Sequence, residues 1–183
     1  MGKSVLVLLA QGCEELEAVT VIDLLRRAKI DVTTAGLDDQ PVTASRGTRL
    51  IPDNALDAVL GRAYDMVVLP GGLPGADNLA ADARVMALLK KMAADGKFTC
   101  AICAAPTVLA KAGLLKGKRA TSYPGCIEAL QMPEVKSTGE AVVRDGTIIT
   151  SRGPGTAMDF ALELIEALLD KKTRQTVETS LVR

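Results

Sequence analysis

The residues that could do chemistry gather around Cys103. It lies in Ala101-Ile102-Cys103-Ala104-Ala105-Pro106, after a short apolar run and before a helical segment. This reads as a sharp strand-to-helix turn built from small residues, with the thiol facing the positive end of the helix dipole, which favours thiolate. The turn supplies the N–H of Ala104. Gly72, in Pro70-Gly71-Gly72, can bring a second N–H close because it has no side chain, and two such donors make an oxyanion hole. For a proton carrier the sequence offers Glu14, Glu15 and Glu17. Helical geometry puts Glu14 and Glu17 on roughly one face and Glu15 about 100° away. Glu17 lies a turn inside the helix, where burial would raise its pKa and leave it able to donate a proton. Histidine is absent, so Cys-His dyads, Ser-His-Asp triads and His-bearing metal sites are excluded.

These groups need elements to hold them. Ser4–Ala10 reads as a buried strand, and a helix follows from about Glu14 to Lys29 with Val19, Ile22, Leu24 and Leu25 as its apolar positions. Asp31–Ala35 is a second strand, and Pro41–Ile51 carries shorter strand-like pieces around Ser45-Arg46-Gly47. Asp65–Leu69 is a buried strand, Leu79–Asp95 a helix, Phe98–Ile102 the strand before Cys103, and Pro106–Ala112 the helix after it. Ala141–Arg144 and Thr147–Thr150 flank Asp145-Gly146 as a hairpin. Ser151–Thr156 is a loop opening onto a helix through Leu169, and Lys171–Val182 forms a last helix. Alternating strands and helices predict an α/β fold over 1–183, with a mostly parallel sheet covered on both faces. Ligands of such sheets sit beyond the carboxyl ends of the strands. The loops Gly12-Cys13-Glu14, Pro70-Gly71-Gly72, Cys103-Ala104-Ala105 and Ser151-Arg152-Gly153 arise there and can converge.

The chain has 183 residues, 48% of them hydrophobic, enough for a proper core. Lys plus Arg equals Asp plus Glu at 22 each, so no basic field exists to hold nucleic acid or an anionic membrane surface. No apolar run is long enough to span a bilayer, and no signal segment is read at the start. The Met1-Gly2 start is too weak a signal for myristoylation, because a core strand begins almost at once. Four cysteines in such a chain are expected as free thiols in the cytoplasm. Cys100 and Cys103 have the Cys-x-x-Cys spacing, but Cys100 should point into the core, which argues against a redox pair. Neither they nor any other group suggests a metal. Cys13 reads as a small exposed residue, with a resolving thiol as the rival, and Cys126 as incidental. Ser151–Thr156 lacks the ending of a phosphate loop, and Arg152 is expected to tie loops together.

Four ordered segments carry a resemblance: Leu8–Glu17 (LLAQGCEELE), Val67–Gly72 (VVLPGG), Ala101–Pro106 (AICAAP) and Thr150–Thr156 (TSRGPGT). Together they resemble the ThiJ/PfpI superfamily, in the branch of the Parkinsonism-associated protein deglycase and its bacterial relatives, over nearly the whole chain. The resemblance implies a flavodoxin-like sandwich, a homodimer, an easily oxidised nucleophile at Cys103 and a protonated partner at Glu17. Arg27 and Arg46 match positions near the family's dimer interface and cysteine pocket. Tyr123 stands where the family often has histidine. With a pKa near 10, a phenol can place a substrate oxygen but is a poor proton shuttle at neutral pH. The superfamily's peptidases use a Cys-His pair, which argues against peptidase activity here. The expectation is a cofactor-independent glyoxalase or deglycase converting 2-oxoaldehydes such as methylglyoxal to lactate. In this reading Cys103 attacks, Gly72 and Ala104, flanked by Gly71, hold the oxyanion, and Glu17 moves the proton. The alternative is an oxidative-stress sensor or chaperone with protein clients, acting through oxidation of Cys103 to sulfenic and sulfinic acid.

Overall fold

The computed structural model describes residues 2–183. The chain begins with β1 (Ser4–Leu9) and helix α1 (Glu15–Arg27), then β2 (Asp31–Gly36), the short strands β3 (Val42–Thr43), β4 (Arg49–Leu50) and β5 (Asn54–Ala55), and β6 (Met66–Leu69). Helices α2 (Gly75–Ala81) and α3 (Ala83–Ala94), strand β7 (Phe98–Ile102) and helix α4 (Pro106–Lys111) follow. The last part holds β8 (Arg119–Ala120), β9 (Lys136–Ser137), β10 (Val142–Asp145), β11 (Ile148–Ser151), α5 (Ala157–Leu168) and α6 (Lys171–Ser180).

Seven strands form one sheet in the order β10-β11-β7-β6-β1-β2-β5, parallel except for β10. β1 shows why the sheet is covered twice. Val5, Val7 and Leu9 enter one core, with α1, α5 and α6, while Leu6 and Leu8 enter the other, with α2, α3 and α4. Successive side chains alternate across a strand, so a continuous apolar run is what two covered faces require. This is the expected flavodoxin-like α/β sandwich.

Several local expectations are corrected. The segment 79–95 is two helices, because Asp82 accepts the N–H groups of Arg84 and Val85 and starts a new helix there. On α1 the inward stripe is Ala18, Val21, Leu24 and Leu25, whereas Val19 is 48% exposed and Ile22 only half-buried. Glu14 is not a helical residue but the cap of α1, accepting from the Glu17 N–H at 2.8 Å. The two-residue strands β5, β8 and β9 have no counterpart in the sequence reading, being too short for a period to register. At the parallel edge the carboxyl ends of β1, β6, β7 and β11 lie side by side, so the four loops that leave them meet.

Candidate active site

Cys103 caps β7 where the ladder with β11 ends at Ile102 opposite Ser151. Its own backbone is held from both sides. The N–H donates to the Ser151 carbonyl at 3.0 Å, and its carbonyl accepts from the Tyr123 N–H at 2.7 Å. Between these anchors its φ is 64°, in the left-handed region that non-glycine residues adopt at a cost. The side chain is 8% exposed and faces a cavity of about 320 Å³, whose wall includes Glu14, Ser45, Arg46, Gly72, Leu73, Ala104, Tyr123, Cys126 and Pro154.

Glu17 comes in from α1 behind the sulfur and is fully buried. One carboxyl oxygen, Oε2, accepts from the Gly71 N–H at 2.8 Å; Oε1 has no hydrogen-bond partner among the described residues. Burial pushes this carboxyl up to about 7, against the Gly71 N–H and the Cys103 thiol, which favour its charged form, and with a small push from Glu14. The cysteine is affected in the same direction. Burial first, then the Glu17 charge and its hydrogen bond, push the thiol up to about 12, while the N–H groups of Gly72 and Ala104 pull it down. A freestanding thiolate made by the helix dipole is therefore not what the fold provides; α4 spans only six residues and its dipole is outweighed. With Glu17 neutral its opposing charge is gone and the two backbone donors remain, while burial, the largest push on the thiol, stays.

The glycine pair lets the β6 loop reach this point. A Cβ at Gly71 would lie 2.6 Å from the Cys103 Cβ, 2.8 Å from the Ile102 carbonyl oxygen and 2.9 Å from Glu17 Oε2. Gly72 has φ 85°, and a Cβ there would lie 2.5 Å from the Glu14 nitrogen. The Glu14 N–H in turn donates to the Gly71 carbonyl at 2.9 Å, locking the start of α1 to the loop.

On the other side of α1, Glu15 holds the 45–48 loop. Its carboxylate accepts from the Ser45 hydroxyl and from the N–H groups of Arg46 and Thr48. Burial pushes it up, but the N–H groups of Glu15 itself, Arg46 and Thr48 outweigh that, and it falls to about 2. Tyr123 is 52% exposed in the cavity wall, its ring edge facing Gly153.

The model of the DJ-1/PfpI family matches residues 3–167. The chain belongs to the DJ-1/PfpI family. It is 45% identical over 183 residues to Protein dj-1beta of Drosophila melanogaster, covering 100% of this chain and 98% of the relative. The crystal structure of that protein superposes with a TM-score of 0.96 over 100% and 98% of the two chains. A Toxoplasma gondii structure described as DJ-1, oxidized, is 39% identical with a TM-score of 0.94, covering 99% and 98%. A Caenorhabditis elegans relative described as glutathione-independent glyoxalase DJR-1.2 is 37% identical over 167 residues, covering 91% of this chain and 89% of the relative.

In this DJ-1/PfpI chain the cavity unites Cys103, Gly72, Ala104, Tyr123 and Arg46, with Glu17 and Gly71 directly behind the sulfur. Arg27 is not in the cavity wall. It pairs with Asp23 one turn back along α1, at 2.6 Å on the surface. All four cysteines are free. Cys100 is fully buried, as its strand position requires. Cys13 is also fully buried, which corrects its reading as an exposed residue: its N–H turns back onto Ala10, and Gly75 packs against it. Cys126 is part of the cavity wall, so it is closer to the chemistry than its loop position implied. Arg152 does join loops, donating to the Gly139 carbonyl. Ser45, Leu73 and Pro154 complete the wall; Leu73 and Pro154 stand just past the ends of β6 and β11, which is the signal the sequence carries for them, and Ser45 has none. Among the described residues no group of three or more His, Cys, Asp or Glu is placed to hold a metal ion, and no helix is long and apolar enough to cross a membrane.

Proposed function

We propose that this chain is a cofactor-independent glyoxalase of 2-oxoaldehydes, converting methylglyoxal to lactate. The observation that carries the reading is the buried Glu17 carboxyl, held by the Gly71 N–H beside Cys103, whose charged form the N–H groups of Gly72 and Ala104 favour. The proton of the Cys103–Glu17 pair is the one that moves. The sulfur adds to the aldehyde carbon, forming C–S and opening C=O, and the oxygen takes the charge within reach of the same two N–H donors before accepting the proton from Glu17. The Glu17 carboxylate then removes the hydrogen from the former aldehyde carbon and returns it to the neighbouring carbon, while the hydroxyl proton on the first oxygen passes through the enediol to the second, so that the first oxygen becomes the thioester carbonyl and the second the hydroxyl. That makes a thioester of the 2-hydroxy acid, and water cleaves it to lactate and free thiol. A pKa near 7 lets Glu17 serve as acid and base in turn. Tyr123, at the rim, positions the substrate oxygen. A glyoxalase among the relatives adds weight. The test is lactate formation from methylglyoxal by wild type and Cys103→Ala; equal rates would overturn the proposal.

A second reading, oxidation sensing, has its own support. Cys13 and Cys100 are sealed in the core, and Cys103 and Cys126 line the cavity; of these two only Cys103 has backbone N–H groups, those of Gly72 and Ala104, that favour its thiolate, so peroxide oxidation should concentrate there. Intact and peptide mass after mild peroxide tests it, and oxygen spread evenly over all four cysteines would argue against it. For assembly we propose a homodimer. Leu16 and Val19, 51% and 48% exposed and three residues apart on α1, supply an apolar surface for a second copy. A monomer mass in solution would refute this.

A further inference from the structure

The chemistry derived above uses one thiol, yet two cysteines line the cavity. Cys103 and Cys126 are both in its wall, whereas Cys13 and Cys100 are fully buried in the core. Cys126 is brought there by a turn that hangs from Cys103 itself. The Tyr123 N–H donates to the Cys103 carbonyl at 2.7 Å, and the Cys126 N–H donates to the Tyr123 carbonyl at 3.0 Å. Pro124 and Gly125 lie between them, with Gly125 at φ 88°. That is the pattern of a type II turn, which keeps the Cα atoms of Tyr123 and Cys126 within about 7 Å. Past the turn Ile127 is buried, and its N–H donates to the Ser122 hydroxyl at 3.3 Å. The tip is free by contrast. Pro124 and Gly125 are exposed, and a Cβ at Gly125 would meet nothing within 4 Å beyond its chain neighbours. The turn therefore has room to settle toward Cys103, as the span of about 5.5–6 Å between the Cα atoms of a disulfide requires.

We propose that Cys126 is the resolving thiol for Cys103: once peroxide has oxidised Cys103, the two close an intramolecular disulfide that spares Cys103 from sulfinic acid. The inference rests on the oxidation-sensing reading for its first step alone. The Cys103 thiolate attacks one peroxide oxygen, the O–O bond breaks, and the departing hydroxide takes the proton that Glu17 received from the thiol and leaves as water. Only Cys103 has the Gly71-bound Glu17 carboxyl beside it, so the sulfenic acid forms there. The Cys126 sulfur then attacks the Cys103 sulfur, the S–O bond breaks, and the oxygen takes the Cys126 proton and leaves as a second water. The two thiols lose two electrons and the peroxide gains them. A dithiol reductant reverses the disulfide. Without Cys126 a second peroxide converts the sulfenic acid to sulfinic acid, which a dithiol does not reverse.

The test treats wild type with graded hydrogen peroxide, blocks the remaining thiols with iodoacetamide and digests with trypsin without reductant. Cys103 then lies in peptide 98–111 and Cys126 in peptide 120–136. The expected product is these two peptides joined, two hydrogens lighter than their sum, with fragmentation placing the bond at Cys103 and not at Cys100. A non-reducing gel should show it within single chains. In Cys126→Ser, sulfinic acid at Cys103 should accumulate about five- to tenfold faster than in wild type. Sulfinic acid accumulating equally in both proteins, with no joined peptide in wild type, overturns the proposal while leaving selective oxidation of Cys103 standing. Oxygen spread over all four cysteines overturns both, and a bond made between chains or through Cys100 overturns the assignment of Cys126.

Discussion

Two carboxylates on the first turn of α1 meet opposite fates. Glu15 and Glu17 are two residues apart and feel the same helix dipole, yet one is drawn down to about 2 and the other pushed up to about 7. The difference lies in what each faces. Glu15 looks toward a loop that turns its N–H groups onto the carboxylate and remains partly open to water. Glu17 looks inward, where a single N–H reaches it and one oxygen goes without a partner. Dipole position is therefore a minor influence here; the count of donors and access to water decide the protonation state. One side of the helix becomes a clamp and the other a proton carrier.

The comparison breaks most visibly at Glu17. Glu17→Gln keeps an acceptor for Gly71 but cannot carry a proton, so lactate formation should fall by about 10²–10⁴-fold. The same variant should change how stability responds to pH. Because the folded state binds the Glu17 proton more tightly than the unfolded chain, wild-type stability drops as pH rises from 4.5 to about 7. By linkage that drop amounts to about 3 kcal/mol, and Glu17→Gln should abolish it in urea melts compared at pH 4.5 and 7.5.

Gly71→Ala comes next. The added methyl meets backbone and the Cys103 side chain, so it should cost about 1–3 kcal/mol of stability and depress turnover with it. Glu15→Ala should cost less, about 1 kcal/mol, by releasing the 45–48 loop, seen as a lower melting temperature. It sharpens the contrast through its sign: the Glu15 contribution is present above 4.5 and is lost as pH falls toward about 2, opposite in sense to Glu17. Smallest is Tyr123→His, which should raise turnover a few-fold near pH 7 by placing a better proton carrier at the rim, with a pH–rate profile as the readout.

The sequence made the frame readable because the frame is periodic. β1, β6 and β7 are apolar runs of strand length, and the loops after them carry the small residues that tight turns need. Cys103, Gly72 and Ala104 could be brought together on those grounds alone. The charge state of the sulfur could not, because it depends on how deeply Glu17 is buried and on which N–H groups face it, and spacing reports neither. The same holds for the break at Asp82, where a capping side chain overrides a helical pattern that runs on through it. Cys126 and Ser45 entered the wall through irregular turns, which leave no period to read, and Arg27 drew on family likeness and not on anything in its own surroundings.

Position 103 is the one place in the parallel edge where a bulky-side reagent sits on a backbone suited to glycine. Cys103→Gly should accordingly melt no lower than Cys103→Ala, and on backbone grounds higher by roughly 1 kcal/mol, while being chemically dead. The flanking anchors at Ser151 and Tyr123 would survive such a change, since they involve main-chain atoms alone. Robustness and reactivity pull this residue in opposite directions, and the sulfur persists against the preference of its own peptide torsions.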